Sequence, residues 1–324
     1  MTGLLISGVA LGFQPRDRRP ERPALQGREA GFSLPELLVA TTILLIVSSV
    51  VTAALVQMSN SQKTIWNRTE MASAVRGATE LLQQEVGQAG SIALPGSVTL
   101  TGAAAGTGSA AVSVSSVTGM FVGELLTIDA GSSQETIAVT ALNSGTSQLT
   151  AVFTTAHAAG DTVAVFGGFP SGIVPTTTTN GSTASVLKLY GDINSDGSMV
   201  YVEYTCDTSA GVLYRNTMAF NAASKPVAGA AQRLLGNVLA NPGGTACFTY
   251  QTKTVAPDTY VTNVGITLTG QTEQKDPITN QYQTESKALL NVSPRNIVNV
   301  AQLATSGITN RVQAMPASVA ALLP

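Results

Sequence analysis

Charged and aromatic residues are scarce in this chain of 324 residues: Asp, Glu, Lys and Arg make up 11%, and Phe, Trp and Tyr only 5%. With 17 basic and 19 acidic residues, the net charge is -2, so no basic surface of the kind that binds nucleic acid is indicated. The hydrophobic share of 44% nevertheless argues against wholesale disorder. Thr, Ser, Gly, Ala and Asn dominate, and short strand-like runs recur, which is typical of a β-rich protein outside the cytoplasm.

Recognisable catalytic motifs are missing as well. The sequence contains no G-x-S-x-G, H-E-x-x-H or phosphate-binding loop pattern, and its two cysteines do not form a C-x-x-C pair. His157 is the only histidine, in a stretch that we expect to be a turn. A lone histidine cannot build a metal site, so we predict a structural role or solvent exposure for it. The sequence therefore predicts no enzymatic activity.

One long apolar run stands near the N-terminus. From Leu37 to Met58 there is no Asp, Glu, Lys or Arg, and about 20 apolar residues suffice for a helix to cross a bilayer. The first cations after the run are Lys63 and Arg68, whereas five precede it: Arg16, Arg18, Arg19, Arg22 and Arg28. By the positive-inside rule, we expect the N-terminus in the cytoplasm and the remainder of the chain outside.

A single carboxylate, Glu36, lies at the start of this run. An ionisable group at the end of a membrane span is costly, and it indicates a functional site. The surrounding sequence is Gly31-Phe32-Ser33-Leu34-Pro35-Glu36-Leu37-Leu38-Val39-Ala40. A small residue before an aromatic one, followed by this apolar run with its acid, resembles the class III signal of type IV pilins and pseudopilins.

The resemblance implies that residues 1–31 are a leader peptide, which a prepilin peptidase cuts between Gly31 and Phe32 on the cytoplasmic side. It also implies N-methylation of the new Phe32 amine. Glu36 would be the fifth mature residue, which in this family directs assembly with other pilin subunits into a helical filament.

Physical chemistry gives Glu36 a matching role. In a bundle of apolar helices an unpaired carboxylate costs several kcal/mol, and the Phe32 amine of a neighbouring subunit could neutralise it. Alternatively, Glu36 reaches into the lipid headgroups and does nothing specific. A secretory signal peptide cut near Ala54 is a further alternative, although the apolar run is too long for one and its acid is unusual.

The helix is expected to continue beyond the membrane, from Phe32 to about Gly90, with residues 32–58 as its transmembrane part. At 1.5 Å per residue it would be about 90 Å long. Six apolar residues recur at three- and four-residue spacing and predict one buried face, with most charges elsewhere: Met71, Val75, Ala78, Leu82, Val86 and Ala89. This face packs on a sheet or, alternatively, on a coiled-coil partner.

Short β-branched runs follow the helix and predict strands. We interpret residues 98–169 as an inserted small all-β module, which either enlarges the head or binds a surface or a glycan. Its predicted strands are Ala111–Val117, Leu125–Ile128, Thr136–Leu142, Leu149–Phe153 and Thr162–Phe166. A linker then leads to residues 183–300, which resemble the globular sheet domain of larger minor pilins and J-type pseudopilins. The tail, 301–324, is expected to be loose or helical. The predicted fold class is therefore α+β and pilin-like, a long helix packed on an antiparallel sheet.

The two cysteines, Cys206 and Cys247, both follow the predicted span and so lie in an oxidising compartment. A disulfide between them would close a loop of about 40 residues and stabilise the fold by about 3–4 kcal/mol. Two buried free thiols are the alternative.

A possible calcium loop begins at Asp192. With Asn194, Asp196, Gly197 and Glu203, it fits the pattern D-x-[DN]-x-[DN]-G-x5-E, which supplies oxygen ligands and a closing glutamate. Apolar residues alternate around Glu203, however, and a strand there would carry its side chain away from the other ligands. The competing prediction is a plain turn ahead of a strand, without Ca²⁺ or with a partial site.

Taken together, the sequence predicts a minor pilin, most like the large PilW type, that primes or tips a type IV pilus. Its expected partners are prepilin peptidase, an inner-membrane assembly platform, other pilins and, before assembly, membrane lipid; no nucleic acid is indicated. The expected location is the inner membrane, then the periplasm or cell surface. Alternatives are a J-type minor pseudopilin of a type II secretion system, a competence pilus subunit, or a membrane-anchored adhesin that does not polymerise.

Overall fold

A computed structural model describes residues 31–223 and 232–321 of the chain. Most of the predicted leader, including the five arginines ahead of the apolar run, lies outside these residues. The fold has two units, which meet between Gln57 and Met58, and each is described here by itself.

The first unit consists, in its described part, of the beginning of helix α1 (Leu34–Gln88). Every side chain from Leu34 to Gln57 is exposed. Among the described residues, α1 is the one helix long and apolar enough to cross a membrane.

In the second unit, the remainder of α1 packs on antiparallel sheets, which confirms the predicted α+β class. All six residues of the predicted apolar face are buried, from Met71 to Ala89. They share a core with apolar residues of the strands, such as Leu189, Val202 and Ile266. The helix ends at Gln88, and Gly90 follows with a φ of 81°, a conformation that glycine adopts readily at helix ends.

Two antiparallel sheets line this core. One has the order β11-β10-β9-β8 and contains β8 (Val186–Gly191), β9 (Val200–Asp207), β10 (Val212–Ala219) and β11 (Arg233–Gly236). In the other, β14 (Asp258–Gln271) pairs with β12 (Val238–Leu239), β13 (Phe248–Val255) and β15 (Thr284–Val292). Two short helices follow, α2 (Arg295–Thr305) and α3 (Ala317–Ala321).

A disulfide between Cys206 and Cys247 links these two sheets, as the sequence predicted. Cys206 lies on β9 and Cys247 directly precedes β13, with their Cα atoms 6.5 Å apart. Both residues are buried in the same core as the helix, so the bond ties the strands together beneath α1.

Seven strands precede β8 and, among the described residues, pair only with one another. Four form a sheet of order β1-β7-β3-β4: β1 (Val98–Thr99), β3 (Leu125–Ile128), β4 (Glu135–Ala138) and β7 (Thr162–Val165). Three form a sheet of order β2-β6-β5: β2 (Gly108–Ser113), β5 (Ala141–Asn143) and β6 (Gln148–Phe153). They enclose a separate core that includes Leu126, Leu149 and Phe153.

The single strand predicted at Thr136–Leu142 is wrong, because the structure divides it into β4 and β5, which belong to different sheets. The Val139 N–H donates to the Glu124 carbonyl at 2.9 Å, whereas the Thr140 N–H donates to the Thr150 carbonyl at 2.7 Å. The backbone therefore changes its pairing partner within one residue, and the alternation of buried and exposed side chains breaks there, because Thr140 and Ala141 are both exposed.

Gln313, in the C-terminal region, hydrogen-bonds to this seven-stranded part. Gln313 is fully buried, and its Nε2 donates to the carbonyls of Leu125 and Phe166 at 2.8 and 2.6 Å. Its Oε1 accepts from the Leu125 N–H at 2.8 Å. The tail, which was expected to be loose or helical, thus satisfies backbone groups at the ends of β3 and β7.

The charged residues of α1 are not all on its outer surface. Glu85 is buried, and its carboxylate accepts hydrogen bonds from Arg215 on β10, with Nε at 3.1 and 3.2 Å from the two oxygens and a further contact from Nη2. The Tyr204 hydroxyl on β9 donates to the same carboxylate at 2.6 Å. Burial acts to lower the pKa of Arg215, but the hydrogen bonds and charge of Glu85 outweigh it and raise that pKa. Glu85 thus anchors the helix to the sheet.

Candidate functional site

The predicted cut site lies just outside the regular helix. Gly31, Phe32 and Ser33 have no helical assignment, and α1 begins at Leu34. The Phe32 side chain is 83% exposed. The peptide bond between Gly31 and Phe32 is therefore in irregular, accessible backbone, which is the form of chain that a peptidase can bind.

Glu36 lies in the first turn of α1, where helix geometry favours an acid. Its N–H and that of Leu37 donate to the Ser33 carbonyl at 3.0 and 3.1 Å, which closes the first turn. Pro35 fits this turn because the first N–H groups of a helix have no intrahelical acceptor. A carboxylate here interacts favourably with the positive end of the helix dipole. Glu36 is exposed and makes no ion pair among the described residues.

The apolar surface that follows Glu36 is too extensive for a chain that stays in water. Its exposed large residues include Leu37, Leu38, Ile43, Leu44, Leu45, Ile46, Val50, Val51 and Leu55. A contiguous surface of this kind marks a contact with lipid or with other protein.

Three of the polar side chains within this surface donate hydrogen bonds inside the helix. Thr41 and Thr42 donate to the Leu38 carbonyl at 3.0 and 2.7 Å, and Ser49 donates to the Ile46 carbonyl at 2.7 Å. Hydroxyl groups in lipid are best satisfied inside the helix, and these three side chains meet that condition.

Glu203 lies apart from the turn that contains the other residues of the predicted calcium loop. The Asp192 carboxylate is buried and accepts the N–H groups of Asp196 and Gly197 at 3.0 and 3.2 Å. Glu203 lies within β9, opposite Lys188, and accepts from the Tyr201 hydroxyl at 3.0 Å.

Glu203 is therefore not the closing ligand of that loop. It stands three residues beyond Val200, where β9 begins, which is about 10 Å along the strand. Strand pairing with β8 holds it there, so the turn-and-strand alternative is the one observed. Calcium binding by Asp192, Asn194 and Asp196 alone stays a prediction, and a melting temperature unchanged by chelator would count against it.

His157 is buried, so of the two roles predicted for it solvent exposure does not apply. Its backbone exchanges two hydrogen bonds with Ala104, each at 3.0 Å, and its ring lies 6.1 Å from that of Phe153. This burial could not be predicted from the residues around His157 alone, because the backbone pairing with Ala104 comes from a segment 53 residues away.

Comparison with known protein families identifies the N-terminal segment. The family model for the prokaryotic N-terminal methylation motif matches residues 27–52, which contain Gly31, Phe32, Glu36 and the first part of α1. No curated protein matches the chain. The match indicates a type IV pilin-like prepilin signal, hence a substrate of prepilin peptidase, and the motif belongs to structural rather than enzymatic proteins. Together with the apolar helix, it fits membrane anchoring before assembly.

Proposed function

We propose that this chain is a minor pilin that is cut between Gly31 and Phe32, methylated at the Phe32 amine and assembled with other pilins into a type IV pilus. The methylation motif over residues 27–52 carries the proposal. Before assembly, the charge-free part of α1 anchors the subunit in the inner membrane with its N-terminus in the cytoplasm. An assembly platform then extracts the subunit from the membrane into the pilus, in the periplasm or at the cell surface.

Assembly in this proposal depends on the pairing of two charges from different subunits. Filament packing would bury Glu36 among apolar helices, where an unpaired carboxylate costs several kcal/mol. Cleavage creates a positive amine at Phe32, and the amine of the adjoining subunit pairs with Glu36 at one axial stagger only. The exposed apolar side chains around Glu36 support a buried position for it in the filament.

The size of the head supports a minor subunit at a priming or tip position, of the PilW type. A head with two separate cores would have to pack against its neighbours at every step of a pilus shaft. We further propose that residues 98–169 are an insertion that enlarges the head and residues 183–300 its principal sheet domain. A J-type pseudopilin of a type II secretion system is the alternative within the family.

The decisive test replaces Glu36 with Leu. The Glu36→Leu variant should insert into the membrane normally yet be absent from sheared filaments, as judged by immunoblots of the two fractions. Glu80→Leu is the matched control, because Glu80 is an exposed acid on the same helix and lies beyond the predicted span. Normal incorporation of the Glu36→Leu variant would instead favour a membrane-anchored adhesin that does not polymerise.

Processing provides a second test. Intact-mass and N-terminal analysis of the native protein should give a chain that begins with methylated Phe32, and Gly31→Leu should block this cut. A native chain that retains its leader, or that begins near Ala54, would contradict the proposal. Deletion of the gene in its host should remove pili rather than secreted enzymes; the opposite result would favour the J-type pseudopilin.

A further inference from the structure

Three side chains from separate turns converge at one end of the seven-stranded part. Asp129 directly follows β3, Asp161 directly precedes β7, and His157 lies in the loop between β6 and β7. One potential ligand atom from each lies within 4.8 Å of the others. The His157 Nδ1 and the Asp161 Oδ2 are 3.6 Å apart.

The protonation of the His157 ring follows from its partner, Glu135. The Nε2 atom is 3.1 Å from a carboxylate oxygen of Glu135. That carboxylate also accepts the N–H and hydroxyl of Thr154, both at 2.7 Å, and the N–H of Thr155 at 3.1 Å. Since every other contact of Glu135 is with a donor, the carboxylate acts as an acceptor and the proton belongs on Nε2.

The other ring nitrogen has no hydrogen-bond partner among the described residues. The His157 side chain is fully buried, its Nδ1 is unpartnered, and 3.6 Å to Asp161 is too long for a hydrogen bond. A ring whose single proton is on Nε2 directs the Nδ1 lone pair at two aspartates. A lone pair beside two carboxylates is repulsive unless a cation lies between them.

Both aspartates are held in place by backbone groups. Asp129 Oδ1 accepts the N–H groups of Ala130 and Gly131 at 2.6 and 3.2 Å, and Asp161 Oδ2 accepts the Ala158 N–H at 2.9 Å. These bonds fix the carboxylates and leave the remaining oxygen lone pairs for another ligand.

We propose that Asp129, His157 and Asp161 bind one divalent transition-metal ion of the zinc class. An imidazole with two carboxylates suits zinc better than magnesium or calcium, which prefer oxygen ligands alone. Metal-bound histidines commonly donate their other N–H to a carboxylate, and Glu135 occupies that position. The ion would join three turns of the seven-stranded part, and water would complete its coordination.

The distances suit zinc after a small movement. Tetrahedral bonds of about 2.0–2.1 Å place neighbouring ligand atoms about 3.4 Å apart, close to the 3.6 Å between His157 and Asp161. Asp129 is only half buried, and its two backbone hydrogen bonds are both to Oδ1, so a small rotation about that atom can bring Oδ2 closer to the ion. This ion site is independent of Glu36, and loss of either would leave the other intact.

The test uses the full-length protein in detergent micelles, carrying an affinity tag without histidine. His157 is the only histidine, and both cysteines are in the disulfide, so no second imidazole or thiolate can bind the metal. After treatment with chelator, ZnCl₂ titration should give one ion per chain and a higher melting temperature. In protein labelled with ¹⁵N-histidine, zinc should shift the Nδ1 resonance and leave Nε2 protonated.

Variants distinguish a loss of zinc binding from a loss of folding. His157→Gln and Asp129→Asn should each weaken zinc affinity at least tenfold. Asp129→Asn keeps the oxygen that accepts the backbone N–H groups, so it should still fold. It therefore tests the zinc site even if His157→Gln does not fold. Asp207→Asn is the matched control, because Asp207 likewise accepts two backbone N–H groups in a turn, and it should bind zinc as the wild type does. Absence of zinc binding, or equal affinity in the Asp129 and Asp207 variants, would overturn the proposal.

Discussion

The two parts of helix α1 differ in where their apolar side chains find contacts. Residues 34–57 expose all of theirs, whereas the face from Met71 to Ala89 is buried in the core of its own chain. Each part also has a glutamate: Glu36 has no ion pair among the described residues, and Glu85 has Arg215 and Tyr204. An apolar face therefore shows that a contact is needed, but the remainder of the chain decides whether that contact is internal.

The largest effect is expected from removing Arg215, the cation that pairs with Glu85. Arg215→Met should lower the free energy of unfolding of the head by about 3–5 kcal/mol, because a buried carboxylate then lacks its partner. Urea denaturation in detergent, followed by tyrosine fluorescence, measures the loss. Arg76→Met, which changes an exposed arginine on the same helix, should have little effect.

A double variant sharpens this result. Glu85→Leu combined with Arg215→Met removes both charges, and we expect it to recover much of the lost stability. The Tyr204 hydroxyl would still lose its acceptor, so recovery should be incomplete. Equal destabilisation of the single and double variants would show that packing, rather than charge pairing, is what Arg215 contributes.

Two leucines of α1 test the same comparison through packing. Leu82→Ala should destabilise the head by about 2–5 kcal/mol, since Leu82 is fully buried and its removal leaves a cavity. Leu44→Ala should change head stability by less than about 0.5 kcal/mol, because Leu44 is 64% exposed. Urea denaturation in micelles measures both variants. Similar losses of stability at the two positions would contradict the distinction between the exposed and the buried part of α1.

Glu124 is a third kind of glutamate, buried without a cation. Its Oε2 accepts the Phe121 N–H at 3.2 Å, and its Oε1 has no hydrogen-bond partner among the described residues. Burial raises its pKa from 4.5 to about 8, despite the opposing hydrogen bond from Phe121. The folded state therefore keeps this proton at a pH where the unfolded chain has lost it.

Stability should consequently fall as the pH rises between about 4.5 and 8, by at most about 1.4 kcal/mol per pH unit, and level off outside that window. Glu124→Gln keeps the shape of the side chain and should remove this fall. Urea denaturation of both proteins at pH 5, 6 and 7 measures the difference. Parallel curves for the two proteins would show that Glu124 does not keep its proton.

Local patterns predicted much of this fold. The three- and four-residue spacing predicted the buried face of α1, and β-branched runs predicted β3, β6 and β7 closely. Alternation around Glu203 correctly favoured a strand over the closing ligand of a calcium loop. In each case, the information lies within a few neighbouring residues.

What the sequence did not predict depends on distant contacts. The burial of Glu85 requires Arg215, 130 residues away, and the split at Val139 requires two sheets that compete for one strand. The cluster of Asp129, His157 and Asp161 likewise depends on the fold, and the zinc site proposed there stays a prediction. Only the fold brings Asp129 beside His157, and the His157 and Asp161 spacing of four residues was the one local signal.

Gln313 affects the order in which hydrogen bonds can form while the chain is being synthesised. It hydrogen-bonds to Leu125, 188 residues earlier, so strands made early in synthesis have ends that only a late residue can saturate. Until Gln313 has been synthesised, the Phe166 carbonyl lacks this donor, whereas the Leu125 carbonyl can already accept the Phe166 N–H at 3.0 Å. A nascent chain stalled before Gln313 would contain all seven strands but would lack the hydrogen bonds that join their ends to the C-terminal region.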